Sequence, residues 1–539
     1  MSALIASLLP LILAVAVLVP GRSRQLAIAV APWLPLSLLW PAFVGGGCDC
    51  GDLLLGLRLG VDPVTGPLLL LCALAWTTAG WFAGQRVGEA PVLFWGGWLA
   101  SLGGMSLLLL ARDIAGLYIG YAILSLASWL LVVHAQNKAA WRAGTVYLIM
   151  ALVGEMAVFA GVVAIVSQVG NAELLALEAP AVLEAHWRWL LFAGYAVKMG
   201  MLGLHLWLPL AHPVAPVPAS AILSGVIVKA GLVGWLRLLP PGSGMEAASD
   251  LLIALGLFTA FGGVALGLAQ DRIKVVLAYS TISQMGLVLA AFGALLATDQ
   301  PLAAYAWLGV LILHHGLNKA SLFLACGCAP GRGFGRGVLL ALPALALSGA
   351  PLTTGVLGKH GLKTIFHDAG FGDGWILVLS LTSTATALLL WRFWRLARAE
   401  TSHQSAHPAW LVLTAAAVVV PWVWAAIAGL DIVYPLTHVP AALWPLVLAA
   451  VLILIAGRFP VIGRIRVPPG DLVVVVERIV AAAVRAWRRI APEPPDIAFH
   501  ASGRPGHAMI RSAERYLRAV PVAGFLILVV GALMWLMVS

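Results

Sequence analysis

The sequence predicts an all-α polytopic membrane protein with about sixteen transmembrane helices. Of its 539 residues, 62% are hydrophobic and only 10% are charged, whereas soluble domains carry about 25% charged residues. Apolar runs of about 18 residues or more recur from Leu4 to Val538, and each is long enough to cross a hydrocarbon core of ~30 Å. The alternation typical of strands is missing, so we expect helices, which satisfy their own backbone hydrogen bonds in lipid.

The predicted spans, numbered 1 to 16 in chain order, cover residues 4–19, 27–44, 65–84, 93–110, 114–135, 144–168, 188–208, 214–238, 249–270, 274–297, 302–328, 337–367, 374–397, 409–428, 441–457 and 519–538. Loop charges support this count, because basic loops alternate with acidic ones along the chain. Arg112 and Arg237 depart from the alternation. The positive-inside rule then places both termini on the non-cytoplasmic side of a bacterial inner (plasma) membrane.

The net charge of +10 does not indicate nucleic-acid binding, because the basic residues gather in short loops on one side of the membrane. The five cysteines include Cys48 and Cys50, whose C-x-C spacing differs from the C-x-x-C of zinc and iron–sulfur sites. We therefore expect structural thiols, no metal and no cofactor. Arg22 follows the first apolar run and no basic residue precedes it, so a first transmembrane helix is expected rather than a cleaved signal peptide.

Two predicted spans are irregular. Span 7 runs into Pro209, Pro213, Pro216 and Pro218, and span 12 contains a proline and three glycines within residues 349–358. Broken backbone at membrane depth is tolerated where it is buried in protein or lines a polar cavity. Two broken helices five spans apart are expected from an inverted repeat, an arrangement that marks transport sites.

Eight ionisable residues fall within these apolar spans, where a charge costs about 2.5–3.5 kcal/mol at the bilayer centre. They are Glu155 in span 6, Lys198 and His205 in span 7, Lys229 in span 8, His314, His315 and Lys319 in span 11, and Lys359 in span 12. A row of such groups, linked by water, can pass a proton by changing protonation in turn. These residues are therefore the candidate proton or ion pathway.

The spacing of some of these ionisable residues predicts that they lie on one face of their helix. His205 follows Lys198 by seven residues, which is two turns of an unbroken helix, and His315 and Lys319 are an i, i+4 pair. The polar stripe from Tyr279 to Gln284 in span 10 could hold water between the charged groups. The alternative is that these residues form structural pairs or extend their charged ends to the membrane surface.

Three segments resemble the antiporter-like subunits, which include subunits L, M and N of bacterial complex I, the large subunits of Mrp cation/proton antiporters and membrane subunits of energy-converting hydrogenases. The first is KMGMLGLHLWLPLAHPVAPVPASAILSGVIVKAGLVGWLR over residues 198–237, and the others are DRIKVVLAYSTISQMG over 271–286 and HHGLNKASLFLACG over 314–327. The resemblance covers roughly residues 60–400. It implies two inverted five-helix repeats with broken helices 7 and 12, and functional lysines at Lys198, Lys229, Lys319 and Lys359.

The predicted spans, the basic amphipathic stretch within 471–490 and the resemblance together suggest a domain organisation. Residues 1–92 would form helices 1–3, residues 93–238 the first ion-channel repeat, and residues 249–398 the second, inverted repeat. Residues 399–457 would form helices 14 and 15, residues 458–518 an amphipathic segment on the cytoplasmic surface, and residues 519–539 the last transmembrane helix.

The chain departs from the family pattern at two positions. The family glutamate that partners the lysine of helix 7 is replaced here by Ala122, and the acid of the family's LP-acid-AH motif is replaced by Leu210. Glu155, one helix later, could have taken over the role of the missing glutamate. The alternative is that this copy no longer pumps.

The leading hypothesis is a proton- or sodium-translocating subunit that contacts lipid and other membrane subunits of a multisubunit complex. The alternatives are a non-pumping scaffold and a redox subunit that holds quinone or haem, although no C-x-x-C-H motif is present. The energy source stays open between NADH or ferredoxin oxidation, hydrogenase chemistry, cation exchange and an inorganic-carbon uptake complex. We expect no redox catalysis by the isolated chain.

Overall fold

The computed structural model describes residues 2–51, 53–62, 65–84, 91–174, 178–181, 183–328, 334–400, 406–433, 439–458, 467–468 and 473–474. The predicted surface segment at 458–518 lies almost entirely outside these residues, and the last predicted span, 519–538, lies wholly outside them.

The described chain is almost entirely helical. Its α-helices are α1 Ser2–Leu18, α2 Arg22–Val30, α3 Leu39–Val44, α4 Gly66–Gly84, α5 Pro91–Leu110, α6 Ile114–Val132, α7 Lys138–Val169, α8 Ala185–Met199, α9 Trp207–Val214, α10 Val217–Gly225, α11 Ala230–Leu238, α12 Ser249–Leu268, α13 Ile273–Leu296, α14 Pro301–Ala325, α15 Phe334–Leu347, α16 Thr354–Asp368, α17 Asp373–Ala399, α18 Pro408–Ile427 and α19 Val439–Arg458. Two short strands, β1 Cys48–Asp49 and β2 Arg58–Leu59, pair antiparallel. Short 3₁₀ turns cover Leu34–Leu38, Leu53–Leu55, Ile227–Lys229 and Glu246–Ala248.

Eleven helical segments of the described chain are long and apolar enough to cross a membrane, and a bent pair formed by α2 and Leu34–Val44 raises the number to twelve. Predicted span 12 is occupied by two short helices, α15 and α16. Predicted span 7 is occupied by α8 as far as Met199, and α9 overlaps only its last two residues. The all-α polytopic fold is therefore confirmed.

Glycines, more than prolines, carry the two breaks. In span 7, α8 ends at Met199, and Gly200 and Gly203 take positive φ angles of +73° and +96° before α9 begins. In span 12, Gly349 takes a φ of +81° just after α15. The four prolines of span 7 come after its break. Pro209, Pro216 and Pro218 lie at or within the first turn of α9 or α10, where a missing N–H removes no helical hydrogen bond, and Pro213 lies inside α9.

A third break, in span 8, was not predicted. α10 ends at Gly225, and the 3₁₀ turn Ile227–Lys229 separates it from α11. Gly225 also packs against α14, since a Cβ there would lie 2.9 Å from the carbonyl oxygen of Gly316. Small residues allow such close approach of helix backbones, and this contact holds the broken segment against the helix that carries His315 and Lys319.

Two buried or half-buried ion pairs explain the arginines that depart from the charge alternation. Arg237 Nη1 lies 2.6 Å from Asp62 Oδ2, and both side chains are almost wholly buried. Arg112 Nη2 lies 3.1 Å from Glu173 Oε1 at the protein surface. A paired arginine carries little net charge into its loop, so neither residue acts as a free positive-inside signal.

Candidate functional site

Lys198 lies at the end of α8 among aromatic rings. Its side chain is buried, and Nζ lies 5.6 Å and 5.5 Å from the ring centroids of Tyr121 and Tyr147. Nζ also donates a hydrogen bond to the Tyr147 hydroxyl at 3.4 Å. A cavity of about 10 Å³ remains beside these groups, which is room for about one water molecule.

Glu155 of α7 is buried and interacts electrostatically with Lys198. The two helices are held close by paired glycines, because a Cβ on Gly154 would lie 2.9 Å from the carbonyl oxygen of Gly194. Glu155 Oε1 has no hydrogen-bond partner among the described residues. The structure thus places an acid of α7 beside Lys198.

Lys229 and Lys319 form a second group at the middle of the molecule. Lys229 Nζ donates to the carbonyl oxygen of Ser224, 2.9 Å away, which the break in span 8 releases from helical bonding. Lys319 Nζ donates to the carbonyl oxygen of Leu277 at 2.9 Å and to the Ser280 hydroxyl. The two lysines are fully buried and interact electrostatically with each other.

His315 joins this group. It interacts electrostatically with both Lys229 and Lys319, and neither of its ring nitrogens has a hydrogen-bond partner among the described residues. A buried polar group normally has a protein or water partner. Water between His315 and the lysines would satisfy its nitrogens and connect the three side chains.

His314 and Lys359 form a third group, beside the break in span 12. His314 Nδ1 lies 2.9 Å from the Thr354 hydroxyl, and Lys359 Nζ donates to the Thr382 hydroxyl at 3.0 Å. His314 and Lys359 also interact electrostatically. Lys359 lines a cavity of about 450 Å³ between α16, α17 and α19, which connects the third group to the edge of the helix bundle.

His205 does not share a helical face with Lys198, so the spacing argument was wrong for this pair. The helix ends at Met199, and His205 lies in the break, where its Nδ1 accepts a hydrogen bond from the backbone N–H of Gly203 at 3.1 Å. Its ring lies 6.0 Å from that of Tyr279, the residue before Ser280. His205 therefore packs near α13, the helix that carries Ser280.

Sequence reasoning did not single out His212, a buried histidine near the second group. His212 of α9 stacks on Phe323 at 4.5 Å and interacts electrostatically with Lys274 and Lys319. Neither ring nitrogen has a hydrogen-bond partner among the described residues. Its place between two lysines could not be read from one sequence, since Lys274 and Lys319 belong to two other helices.

Part of the chain matches a known protein family. Residues 111–333 match the family described as NADH:quinone oxidoreductase/Mrp antiporter, TM. The chain is 34% identical to hydrogenase-4 component B of Escherichia coli (strain K12) over 221 residues, which are 38% of this chain and 33% of that protein. It is 32% identical to a component of a probable K(+)/H(+) antiporter of Rhizobium meliloti (strain 1021) over 296 residues, which are 50% of this chain and 29% of that protein.

The fold is also similar to that of one chain in a solved membrane assembly. A chain in the structure of the Mrp complex from Dietzia sp. DQ12-45-1b superposes with a TM-score of 0.66 at 20% identity, covering 82% of this chain and 97% of that one. Over residues 111–333 the chain is therefore similar to antiporter-like subunits, and its fold is that of a chain from the Mrp complex. The alignments with the two curated relatives span only 33% and 29% of those proteins.

Proposed function

We propose that the chain translocates protons, or sodium ions, as a membrane subunit of a multisubunit complex in a bacterial inner membrane. The observation that supports this most is the row of buried groups from Lys229 through Lys319 and His315 to His314 and Lys359. Each is within electrostatic reach of the next, and each costs free energy to keep inside a span. The name of the Rhizobium relative and the Mrp complex of similar fold agree with ion exchange and with partner subunits.

The row can move charge because its members repel one another when protonated. Lys229 and Lys319 are both buried, and two like charges at short range in a medium of low polarity destabilise each other. A proton that reaches one lysine therefore favours departure of a proton from the next. Lys359, beside the 450 Å³ cavity, would be the last group before the edge of the bundle.

A non-pumping scaffold is the second candidate, and Ala122 favours it. Without the family glutamate, the first group depends on Glu155 for its negative charge, and the small cavity there leaves room for about one water. The two candidates differ in what loss of a central lysine does to transport.

The test is Lys229→Ala in the complex that co-purifies with the chain, reconstituted in proteoliposomes with a pH-sensitive dye. Translocation should fall by about a hundredfold or more, the contribution typical of a positioned proton-transfer group, while the complex stays assembled. Lys138→Ala, at the exposed start of α7, is the matched control and should transport normally. Unchanged transport in assembled Lys229→Ala would favour the scaffold.

A further inference from the structure

Two cavities lie in sequence along one groove at the edge of the bundle. The first, of about 450 Å³, is lined by α16, α17 and α19, and the second, of about 290 Å³, is lined by α15, α17 and α19. Along α19, the last residue that lines the first cavity is Pro445 and the first residue that lines the second cavity is Leu446. Along α17, the last residue of the first cavity is Ser383 and the first residue of the second cavity is Ala387. The cavities are therefore about one helical turn apart.

The first cavity is cationic. Lys359, Lys363 and His367 recur every four residues on α16 and share one face, and His360 also lines the cavity. Asp373 is the one acid among its lining residues, so the two lysines leave a net positive charge. Such a lining repels a free metal cation and attracts a phosphate group.

Lys363 is the group most available to an external anion. Lys359 already donates to Thr382, His360 packs edge-on against Trp307, and His367 lies 3.5 Å from Asp368. Lys363 is half-buried and has no hydrogen bond or ion pair within the described part of the chain. A partly buried ammonium is costly unless something satisfies it.

The second cavity is apolar. Its walls are aliphatic and aromatic side chains that include Leu390, Trp391, Trp394, Leu446 and Ile453, with the two tryptophan rings stacked 5.1 Å apart. From Ala441, in the first cavity, to Ile453 the helix α19 rises about 18 Å, which is close to the depth of one leaflet of a ~30 Å hydrocarbon core. The groove therefore has the polarity and length of one lipid molecule.

We propose that this groove binds one anionic phospholipid, with its phosphate at Lys363 and His367 and an acyl chain in the apolar cavity. The lipid is recognised by charge at one end and by shape at the other. Lys363 is one helical turn from Lys359, and both line the same cavity. The lipid phosphate would therefore form part of the wall of the cavity that Lys359 adjoins.

The test is native mass spectrometry of the full chain with its co-purifying subunits, titrated with dioleoylphosphatidylglycerol or dioleoylphosphatidylcholine. We expect one phosphatidylglycerol per chain to be retained in preference to phosphatidylcholine. The double variant Lys363→Gln/His367→Gln should lower that preference roughly fivefold, the effect of one basic residue near a lipid phosphate. Equal retention of the two lipids by the parent protein would overturn the proposal.

Three further variants separate charge from folding and from shape. Lys138→Gln removes a lysine of α7, which does not line the groove, and should keep the preference for phosphatidylglycerol. Lys363→Arg should also keep this preference, because the positive charge remains. Ala450→Trp fills the apolar cavity and should weaken retention of both lipids. A double variant that behaves like Lys138→Gln would overturn the headgroup assignment.

A last experiment tests whether the groove binds a phospholipid or a free phosphate ion. Millimolar inorganic phosphate is added to the parent protein carrying phosphatidylglycerol. Retention of the lipid supports the proposal, because the acyl chain contributes most of the binding. Displacement of the lipid would show a site for free phosphate and overturn the lipid assignment. Neither result depends on ion transport, so the proposed function is tested separately.

Discussion

The candidate site has two halves that treat a buried lysine differently: the group around Lys198, and the groups that contain Lys229, Lys319 and Lys359. In the first half, Lys198 is enclosed by Tyr121 and Tyr147, interacts with the carboxylate of Glu155 and adjoins a cavity of about 10 Å³. In the second half, Lys319 and Lys359 donate to carbonyl and hydroxyl oxygens, and Lys359 adjoins a cavity of about 450 Å³.

The difference shows two ways of satisfying an ammonium inside a membrane. An opposite charge stabilises it strongly but fixes it in place, and removing that partner leaves a buried charge uncompensated. Neutral oxygens and water stabilise it less, and they remain favourable partners when the proton leaves. We therefore expect the first half to be sensitive to its charged partner and the second half to the lysines themselves. Four predictions follow this contrast, from the largest expected effect to the smallest.

The first prediction concerns the buried ion pair between Arg237 and Asp62. Arg237 of α11 is paired at 2.6 Å with Asp62, just before α4, and both are buried. Arg237→Ala leaves the carboxylate buried without this partner and should destabilise the protein by about 3–5 kcal/mol. The fraction of monodisperse protein after heating, measured by size-exclusion chromatography, reports the change.

The control for that prediction is Arg112→Ala, because Arg112 and Glu173 pair at the surface with side-chain exposures of 27% and 44%. Its loss should cost less than about 1 kcal/mol. If the two variants lost monodisperse protein at the same temperature, burial of the Arg237–Asp62 pair would contribute no extra stability.

The second prediction concerns Lys319. Lys319→Ala removes a proton-accepting group and its two hydrogen bonds, to Leu277 and Ser280, so translocation should fall by about a hundredfold. Lys319→Arg keeps a charge that does not titrate and should also fail. Dye-monitored proton uptake in proteoliposomes measures both, and activity in Lys319→Arg near the parent level would contradict a relay through this residue.

Much of the fold could be predicted from the sequence, since each apolar run of sufficient length predicts one helix. The prolines and glycines indicated that spans 7 and 12 are irregular, although span 7 breaks before its prolines, at Gly200 and Gly203. The break in span 8 gave no such signal. It depends on the fit of Gly225 against Gly316, a contact between segments far apart in the chain.

The candidate residues of the site could also be named from the sequence, because ionisable side chains are rare in apolar spans. Their grouping could not. His205 was placed on the face of Lys198 by counting residues through a helix that in fact ends at Met199. The hydroxyls of Ser280 and Thr382 are ordinary in a sequence, and only packing makes them partners of lysines.

The third prediction concerns Glu155. Glu155→Gln keeps the shape of the side chain and removes the charge that interacts with Lys198. Transport should fall about tenfold, as expected when a charged partner is lost, and to the same level as in Lys198→Ala. Glu184→Gln, with 78% of its side chain exposed, is the control. A Glu155→Gln variant that transports normally would mean that Lys198 does not depend on this acid.

The last prediction isolates one hydroxyl in the first group. Tyr147 accepts a hydrogen bond from Lys198 at 3.4 Å, and its oxygen also bonds the Ser128 hydroxyl at 2.5 Å. Tyr147→Phe keeps the ring beneath the ammonium and removes only this oxygen. Because the bond to Lys198 is long, its loss should slow transport about twofold to threefold. Tyr195→Phe is the matched control, since the Tyr195 hydroxyl is buried without a hydrogen-bond partner among the described residues, and its removal should leave the rate unchanged. If Tyr147→Phe were as severe as Lys198→Ala, the Tyr147 hydroxyl would be an obligatory step for the proton beside Lys198.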